Sequence, residues 1–364
     1  MCIDQSVYDK LTLHLQDNDI VIPRVGTLGN AGVVAKDYLP ITANQNLVVV
    51  RLKEYKPYYV STILSSKIGK LQIDRLSTGN VQQWLNNKNI GNLVIPDASN
   101  DFQYTITNKV LSALKTRKQS QSLYREAEAL LLKTIGLHDF HPTRENKNIK
   151  TFKESFLATG RLDAEYYQPK YEEIENIIRS YPNGYSLIKE KFKQNKQTID
   201  YSKKQYYYTE IGDVNIGDGS FVYNLINRDD LPDNAKIKSE KNDVLISKVR
   251  PNRGAVVIID EDIQDFVVSG AFTVLKEYDN YKKETLFVLL KTDVYKEWLL
   301  KYNVGTSYPV IKDNDILNLP IPLIDIPVQR RIAALIKESF ALRGESGRLL
   351  NEAKELVERE IEKG

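Results

Sequence analysis

The sequence contains one cysteine, Cys2, in 364 residues, which excludes an internal disulfide and any site built from several thiolates. Histidine is almost as scarce. His14, His138 and His141 are too few and too scattered for a Ser–His–acid set, and the 138/141 pair, just past the end of a helical pattern, reads as solvated loop. No run approaches the ~20 consecutive apolar residues of a membrane span. The start, Met1-Cys2-Ile3-Asp4, has no basic stretch leading into an apolar one, so no secretory signal is read and the expected compartment is the cytoplasm. The phosphate-binding pattern G-x-x-x-x-G-K-[ST] is absent. So is an Asn/Asp-Pro-Pro-aromatic adenine-methyltransferase signature. Gly217-Asp218-Gly219 lacks the third glycine and following helix of a dinucleotide fold, and reads as a tight turn. Asp37 with Glu54-Tyr55-Lys56 has a faint likeness to a nuclease spacing, but nothing around it repeats the pattern, and it reads as a charged surface turn. No catalytic residue, metal site or cofactor site is therefore expected on this chain. Charge of one sign is also lacking: the net charge is +3, far from that of a non-specific nucleic-acid coat.

What the chain does have is a copy of itself. Asn92-Leu93-Val94-Ile95-Pro96 returns 226 positions later as Asn318-Leu319-Pro320-Ile321-Pro322. The same spacing pairs Gln103 with Gln329, Ile106 with Ile332, Arg117 with Arg343, Ser120 with Ser346, Ala127 with Ala353 and Ile135 with Ile361. Both stretches read as coiled-coil helices, the first over about Thr105–Ile135. Leu335, Leu342, Leu349 and Leu356 recur every seven residues, as do Leu123, Leu130 and Leu137, and such a repeat makes two helices supercoil. The expected partner of each helix is the other, antiparallel, with Leu349 and Leu356 lying against Leu123 or Leu130. Upstream, Asn18-Asp19-Ile20-Val21-Ile22 matches Asn242-Asp243-Val244-Leu245-Ile246, each running into a turn rich in Gly, Asn and Arg and then a β-type run. The expected order in both halves is strands, loop, strand, short helix, Gly loop, Pro-ended strand, long helix. The halves are unequal: Phe152–Tyr223 has no counterpart before Asn18, so the first copy is expected to be shortened at its start.

Five stretches resemble a known family. Gly160-Arg161-Leu162-Asp163-Ala164-Glu165-Tyr166-Tyr167-Gln168-Pro169-Lys170-Tyr171 is similar to the opening of target-recognition domains in the specificity subunits of type I restriction-modification systems. Asp243–Ala255, Val268–Phe272 and Gly305–Tyr308 resemble the core of those domains, and Pro327–Ile332 their repeated spacer. The resemblance implies an α+β chain with two target-recognition domains of small β-sheets, separated by two long helices in an antiparallel coiled coil. The expected boundaries are 1–100 for the first, incomplete domain, 101–145 for the first helix, 150–324 for the second domain and 325–364 for the second helix. It implies sequence-specific binding of double-stranded DNA at a bipartite site, in phage defence. It also implies docking of two methyltransferase subunits on the helices (Leu123, Leu130, Leu349 and Leu356) and of restriction/translocase subunits, with S-adenosylmethionine, ATP and Mg²⁺ on those partners. A scaffold that keeps the helices but has lost full bipartite recognition is the alternative. A fragment of a single-chain restriction-methylase is the third reading.

Candidate DNA contacts follow from side-chain chemistry. Arg and Lys match guanine edges, and Asn and Gln match adenine. Lys248, Arg250, Asn252 and Arg253 fall within six residues between two expected strands, and Arg24, Thr27 and Asn30 occupy the equivalent turn of the first copy. Thr306, Ser307 and Tyr308 after Gly305, like Asn80 and Gln82 after Gly79, offer hydroxyls, amides and backbone N–H groups to phosphate. The lysine-rich run 189–204, ending in Lys203 and Lys204, suits phosphate neutralisation.

Overall fold

A computed structural model describes residues 3–79 and 83–363. The chain divides into two compact units, one made of 1–120 with 340–364, the other of 121–339.

In the first unit a single turn, α1 (Gln5–Tyr8), leads to β1 (Ile20–Pro23), β2 (Gly32–Val33) and β3 (Leu47–Val50), an antiparallel sheet in the order β2-β1-β3. Helices α2 (Pro57–Ser65), α3 (Lys67–Leu76) and α4 (Asn87–Gly91) follow, and then α5 (Asn100–Thr134), whose first part belongs to this unit. Pro57 opens α2, where its missing N–H costs nothing. Ser66 both ends α2 and caps α3 by accepting from the Gly69 amide at 3.2 Å. The core joins Ile20 and Ile22 of the sheet to Tyr59, Val60, Ile63 and Leu64 of α2.

The second unit holds α6 (Phe156–Thr159), α7 (Pro169–Arg179), β4 (Tyr185–Leu187), α8 (Ile188–Lys191), β5 (Phe192–Gln194), β6 (Gln205–Thr209), β7 (Asn224–Asn227), β8 (Ala235–Lys238), β9 (Val244–Ser247), β10 (Val256–Ile258), β11 (Phe266–Ser269) and β12 (Phe272–Glu277). After these come α9 (Lys283–Lys291), α10 (Asp293–Leu299), α11 (Asp313–Leu317), β13 (Pro320–Pro322) and the start of α12 (Ile326–Lys363). Two four-stranded sheets, β10-β9-β12-β5 and β7-β6-β11-β8, share one core of Leu245, Val257, Phe266, Val268, Phe272 and Val274. β9, β10 and β11 are buried throughout, so they read as continuous Val/Ile/Phe runs without polar alternation.

The two copies agree in detail. β10-β9-β12 repeats β2-β1-β3, and α9, α10 and α11 repeat α2, α3 and α4. Thr292 stands for Ser66, accepting from the Tyr295 amide at 3.4 Å. Gln103 and Gln329 make the same clamp. The Oε1 of Gln103 accepts from the Lys56 amide (3.0 Å) and its Nε2 donates to the Ala98 carbonyl (3.0 Å), while Gln329 bonds Lys282 (2.8 Å) and Ile324 (2.7 Å) in the same way. The expected strand at 92–96 is not formed. Its equivalent, β13, pairs with β4, which has no counterpart among the described residues of the first unit, and Val94 instead places its N–H (2.9 Å) and carbonyl (3.2 Å) on the side-chain amide of Gln72.

The long helices are antiparallel partners. In the first unit Lys109 pairs with Glu352 at 2.7 Å and Ser346 Oγ donates to the Ala113 carbonyl at 2.8 Å; in the second, Arg331 pairs with Glu126 at 2.9 Å. Leu123, Leu130, Leu349 and Leu356 do not form the seam, contrary to expectation. Buried at matching places on both helices are Ile106, Val110, Ala113, Ser120, Ala127 and Leu131 on α5, and Ile332, Ile336, Ser339, Ser346, Ala353 and Val357 on α12, besides the two glutamines; Ala333 and Leu335 are also buried on α12. Shifted by 226 the two sets coincide, and three of each are small: Ala113, Ser120 and Ala127, and Ser339, Ser346 and Ala353. Small residues let the two backbones approach closely, and the leucines are displaced to the flanks. Leu349 lies level with Val110 rather than Leu123, and Leu356 packs on the sheet–helix core of the first unit. Leu123 and Leu130 lie on either side of the level of Arg331. All four are half-buried.

Candidate nucleic-acid interface

The turn after β9 is built on a strained corner. Arg250 adopts a left-handed backbone (φ 49°), where the first copy has Gly26 (φ 79°). Pro251–Arg253 form one tight turn, and Gly254 (φ 72°) returns the chain to β10. A Cβ on Gly254 would meet the Lys296 side chain at 3.0 Å, as one on Gly29 would meet Lys70 at 2.9 Å. Beneath the turn, the buried Lys291 donates to the carbonyls of Gly254 (3.2 Å) and Ile216 (2.7 Å). Arg250, Asn252 and Arg253 are exposed.

The second loop meets the first here. The Arg250 amide donates to the Pro309 carbonyl at 2.7 Å, Val249 bridges Val310, and the Arg250 guanidinium lies 5.2 Å from the Tyr308 ring. Thr306, Ser307 and Tyr308 are exposed. A Cβ at Gly305 would sit 2.1 Å from the Tyr308 carbonyl, so only glycine lets the loop fold back so closely. Asn303 fixes its base: Oδ1 accepts from the amides of Gly305 (2.8 Å) and Val310 (2.9 Å), and Nδ2 donates to the Gly305 carbonyl (3.2 Å).

Two expected contacts are engaged inside the fold. Lys248 Nζ pairs with Asp313 at 3.1 Å, and Asp313 also accepts from Thr273 at 2.6 Å. In the first copy Arg24 bonds Asn87, the residue equivalent to Asp313, while its Nε is buried without a partner. At this place the basic side chain locks the strand end to α11 or α4. Thr27 and Asn30 are exposed; Asn80 and Gln82 lie outside the described residues. The lysine run is half internal: Lys189 bonds Asn318 (2.8 Å), Lys191 pairs with Asp279 (2.7 Å) and Lys193 covers the Tyr278 ring (3.6 Å). Lys203 and Lys204 are exposed just before β6. They sit at the end of the β6–β11 ladder away from Ala271, the residue that accepts from the Lys248 amide, so the structure does not bring them to the Arg250 corner.

Equivalent carboxylates behind the two turns differ in charge preference. Bidentate bonds from Arg51, 2.8 Å each, hold Asp19 below the usual carboxylate range. Burial pushes Asp243 up, where Asn195 (3.0 Å) replaces the arginine. Elsewhere, His138 and His141 line a cavity of about 630 Å³ with Glu128, Lys170 and Asp293, and burial raises the Glu128 carboxyl. Among the described residues no group of three or more His, Cys, Asp or Glu has an arrangement that could hold a metal ion, and no helix is long and apolar enough to cross a membrane. Asp37 and Lys56 turn away from a shared site, bonding Lys118 (2.9 Å) and Tyr104 (3.0 Å) respectively.

Fold and corner together define a two-copy α+β chain in which each copy presents a rigid polar turn and contributes one helix of an antiparallel pair. Residues 183–352 match the family described as Type I restriction modification DNA specificity domain, as the motifs imply. It is 31% identical over 137 residues to the Type I restriction enzyme HindI specificity subunit of Haemophilus influenzae, a match spanning 35% of this chain and 30% of that relative's length. Among solved structures, the S subunit of a type I restriction-modification system from M. genitalium aligns with 95% of this chain and 83% of its own at 14% identity and a TM-score of 0.44. The HsdS subunit from Thermoanaerobacter tengcongensis aligns with 95% and 81% at 15% identity and 0.33.

Proposed function

We propose that this chain is the DNA-recognition subunit of a type I restriction-modification complex. It reads double-stranded DNA and directs partner methyltransferase subunits, two in number, and restriction/translocase subunits to a bipartite site in the cytoplasm. S-adenosylmethionine, ATP and Mg²⁺ belong to those partners, and the chain by itself neither methylates nor cuts. The observation that carries the reading is the corner where Arg250, Asn252 and Arg253 meet Thr306, Ser307 and Tyr308. All six are exposed, their backbones are fixed by Lys291 and Asn303, and they fall within the segment matched to the DNA specificity family. Arginine and asparagine there have the donor and acceptor sets that distinguish bases in the major groove, and the hydroxyls and amides suit phosphate. Lys203 and Lys204 add sequence-independent attraction. The half-buried flanks of the helix pair, with Leu123, Leu130, Leu349 and Leu356, offer the methyltransferases their docking surface.

The test is selection of bound sequences from a randomised double-stranded DNA library. Arg253→Ala, whose exposed side chain has no partner among the described residues, should cost about 1–3 kcal/mol on the preferred site and relax one base position. Lys203→Ala should weaken binding evenly and flatten the salt dependence. Lys248→Ala should chiefly lower stability. Unchanged base preference in Arg253→Ala and Arg250→Ala together would remove this corner from the reading.

A further inference from the structure

The Gly160–Tyr167 motif has no place in the corner just described, yet it is bound to it. Arg161 forms a two-pronged pair with Asp163 (2.7 and 2.6 Å), and the same Nη2 donates at 2.9 Å to the carbonyl of Asn303, 142 residues away. The Arg161 guanidinium also lies 4.7 Å from the Tyr166 ring, whose surroundings include Lys301 at 5.0 Å, and Tyr167 donates to the Arg161 carbonyl at 3.0 Å. Lys301 is in turn held by Glu175 at 3.0 Å. Asn303 is the residue whose side chain gathers the Gly305 and Val310 amides. An unbroken series of contacts therefore runs from the motif through Asn303 and the 304–310 loop to Tyr308 and Arg250.

We propose that Gly160–Tyr167 is a latch and that Arg161 is a positioning residue for sequence choice: by gripping the Asn303 carbonyl it sets the pose in which the 304–308 loop and Arg250 meet DNA. The proposal rests on the recognition reading above and adds a residue that touches no base. A guanidinium suits the task because its planar fork can serve Asp163 through two nitrogens and still direct a third N–H to a carbonyl. Asp163 holds that fork in place, and its own carboxyl lies below the usual range because of Arg161. Lysine carries the charge and three donors, but on a single nitrogen, so it lacks the planar fork that spans both Asp163 oxygens and the Asn303 carbonyl.

Two measurements on the full chain test this. The first, independent of DNA, is amide hydrogen exchange over the segment 303–311 compared with α9. In Arg161→Ala the 303–311 segment should exchange roughly tenfold faster or more, the loss of a charge-assisted hydrogen bond, with α9 unchanged. Arg161→Lys keeps the charge facing Asp163 and guards against outright unfolding; it should release the same segment. The second is library selection, in which both variants should relax base preference at the positions altered by Arg250→Ala. Exchange over 303–311 that stays at the wild-type rate in Arg161→Lys overturns the latch. Released exchange with an unaltered preferred sequence overturns its role in sequence choice. A wild-type chain that enriches no sequence overturns the recognition reading instead, while the exchange result still decides the latch.

Discussion

The glutamine clamp allows one perturbation to be made twice in a single chain. Gln329 is 2% exposed and Gln103 4%, and each joins the backbone before α9 or α2 to the segment entering its long helix. Replacing either by alanine strands one backbone N–H and one carbonyl. The surroundings differ, however. Ile324, whose carbonyl Gln329 holds, is 3% exposed, so water cannot take the place of the lost donor. Ala98 in the first copy is half-exposed, and water can; Lys282 and Lys56 are half-exposed alike, so the copies differ only at the carbonyl. At about 1–3 kcal/mol for a stranded buried group and about 0.5–1.5 kcal/mol for a hydrogen bond that water replaces, Gln329→Ala should destabilise the second unit by about 2–4 kcal/mol and Gln103→Ala the first by about 1–2 kcal/mol. Urea unfolding reads both, because the two tryptophans divide between the units: Trp84, 38% exposed, in the first and Trp298, fully buried, in the second. A Gln103→Ala cost equal to or above that of Gln329→Ala would refute the reasoning, since solvent access is the only difference invoked.

Two further outcomes follow from the geometry. Asp19, with its pKa held below the ordinary 3.8, contributes stability that is present above that value and lost as pH falls through its folded pKa, whereas Asp243, raised by burial, favours the folded state increasingly as pH falls through its own. On acid titration the Trp84 fluorescence should therefore change at higher pH than that of Trp298, and the reverse order contradicts the assignment. In the helix pair, Ala353 is fully buried whereas Leu349 is half-buried. Ala353→Asp should cost several kcal/mol and lower the thermal midpoint, while Leu349→Asp should leave the midpoint nearly intact and weaken methyltransferase capture. Equal losses of stability would mean that the leucines form the seam after all.

Much of this architecture was legible because the chain is internally repeated. The spacing of 226 carries over to α2 and α9, α3 and α10, α4 and α11, and even to the serine and threonine caps. What was hidden depended on partners. The leucine stripe obscured the true seam because Ser120, Ser339 and Ser346, with Ala113, Ala127 and Ala353, look polar or neutral in a sequence, yet close approach of two helices is what they permit. Residues 94–96 look like a strand, but a strand needs a neighbour, and the Gln72 amide takes that place. Lys248 and Arg24 look free until α11 and α4 bring Asp313 and Asn87 beside them. The supporting bonds of Lys291 and Arg161 have no sign in the sequence, because their partners are remote: Lys291 meets Ile216 and Gly254, and Arg161, although inside a motif, meets Asn303 across 142 residues. The Arg250 corner itself was visible as a basic turn, though nothing local announced that Thr306–Tyr308 would meet it.

The left-handed backbone of Arg250 has a consequence for how this corner is valued. The equivalent place in the first copy is occupied by Gly26, the residue for which that conformation is free of strain. A side chain there costs about 1–2 kcal/mol, and a guanidinium resting on the exposed Tyr308 ring recovers only part of it. Selection for folding alone would favour glycine at both turns. The second copy therefore holds a small conformational debt at an exposed corner, and in the proposed reading the size of that debt sets a lower limit on what Arg250 returns when DNA binds.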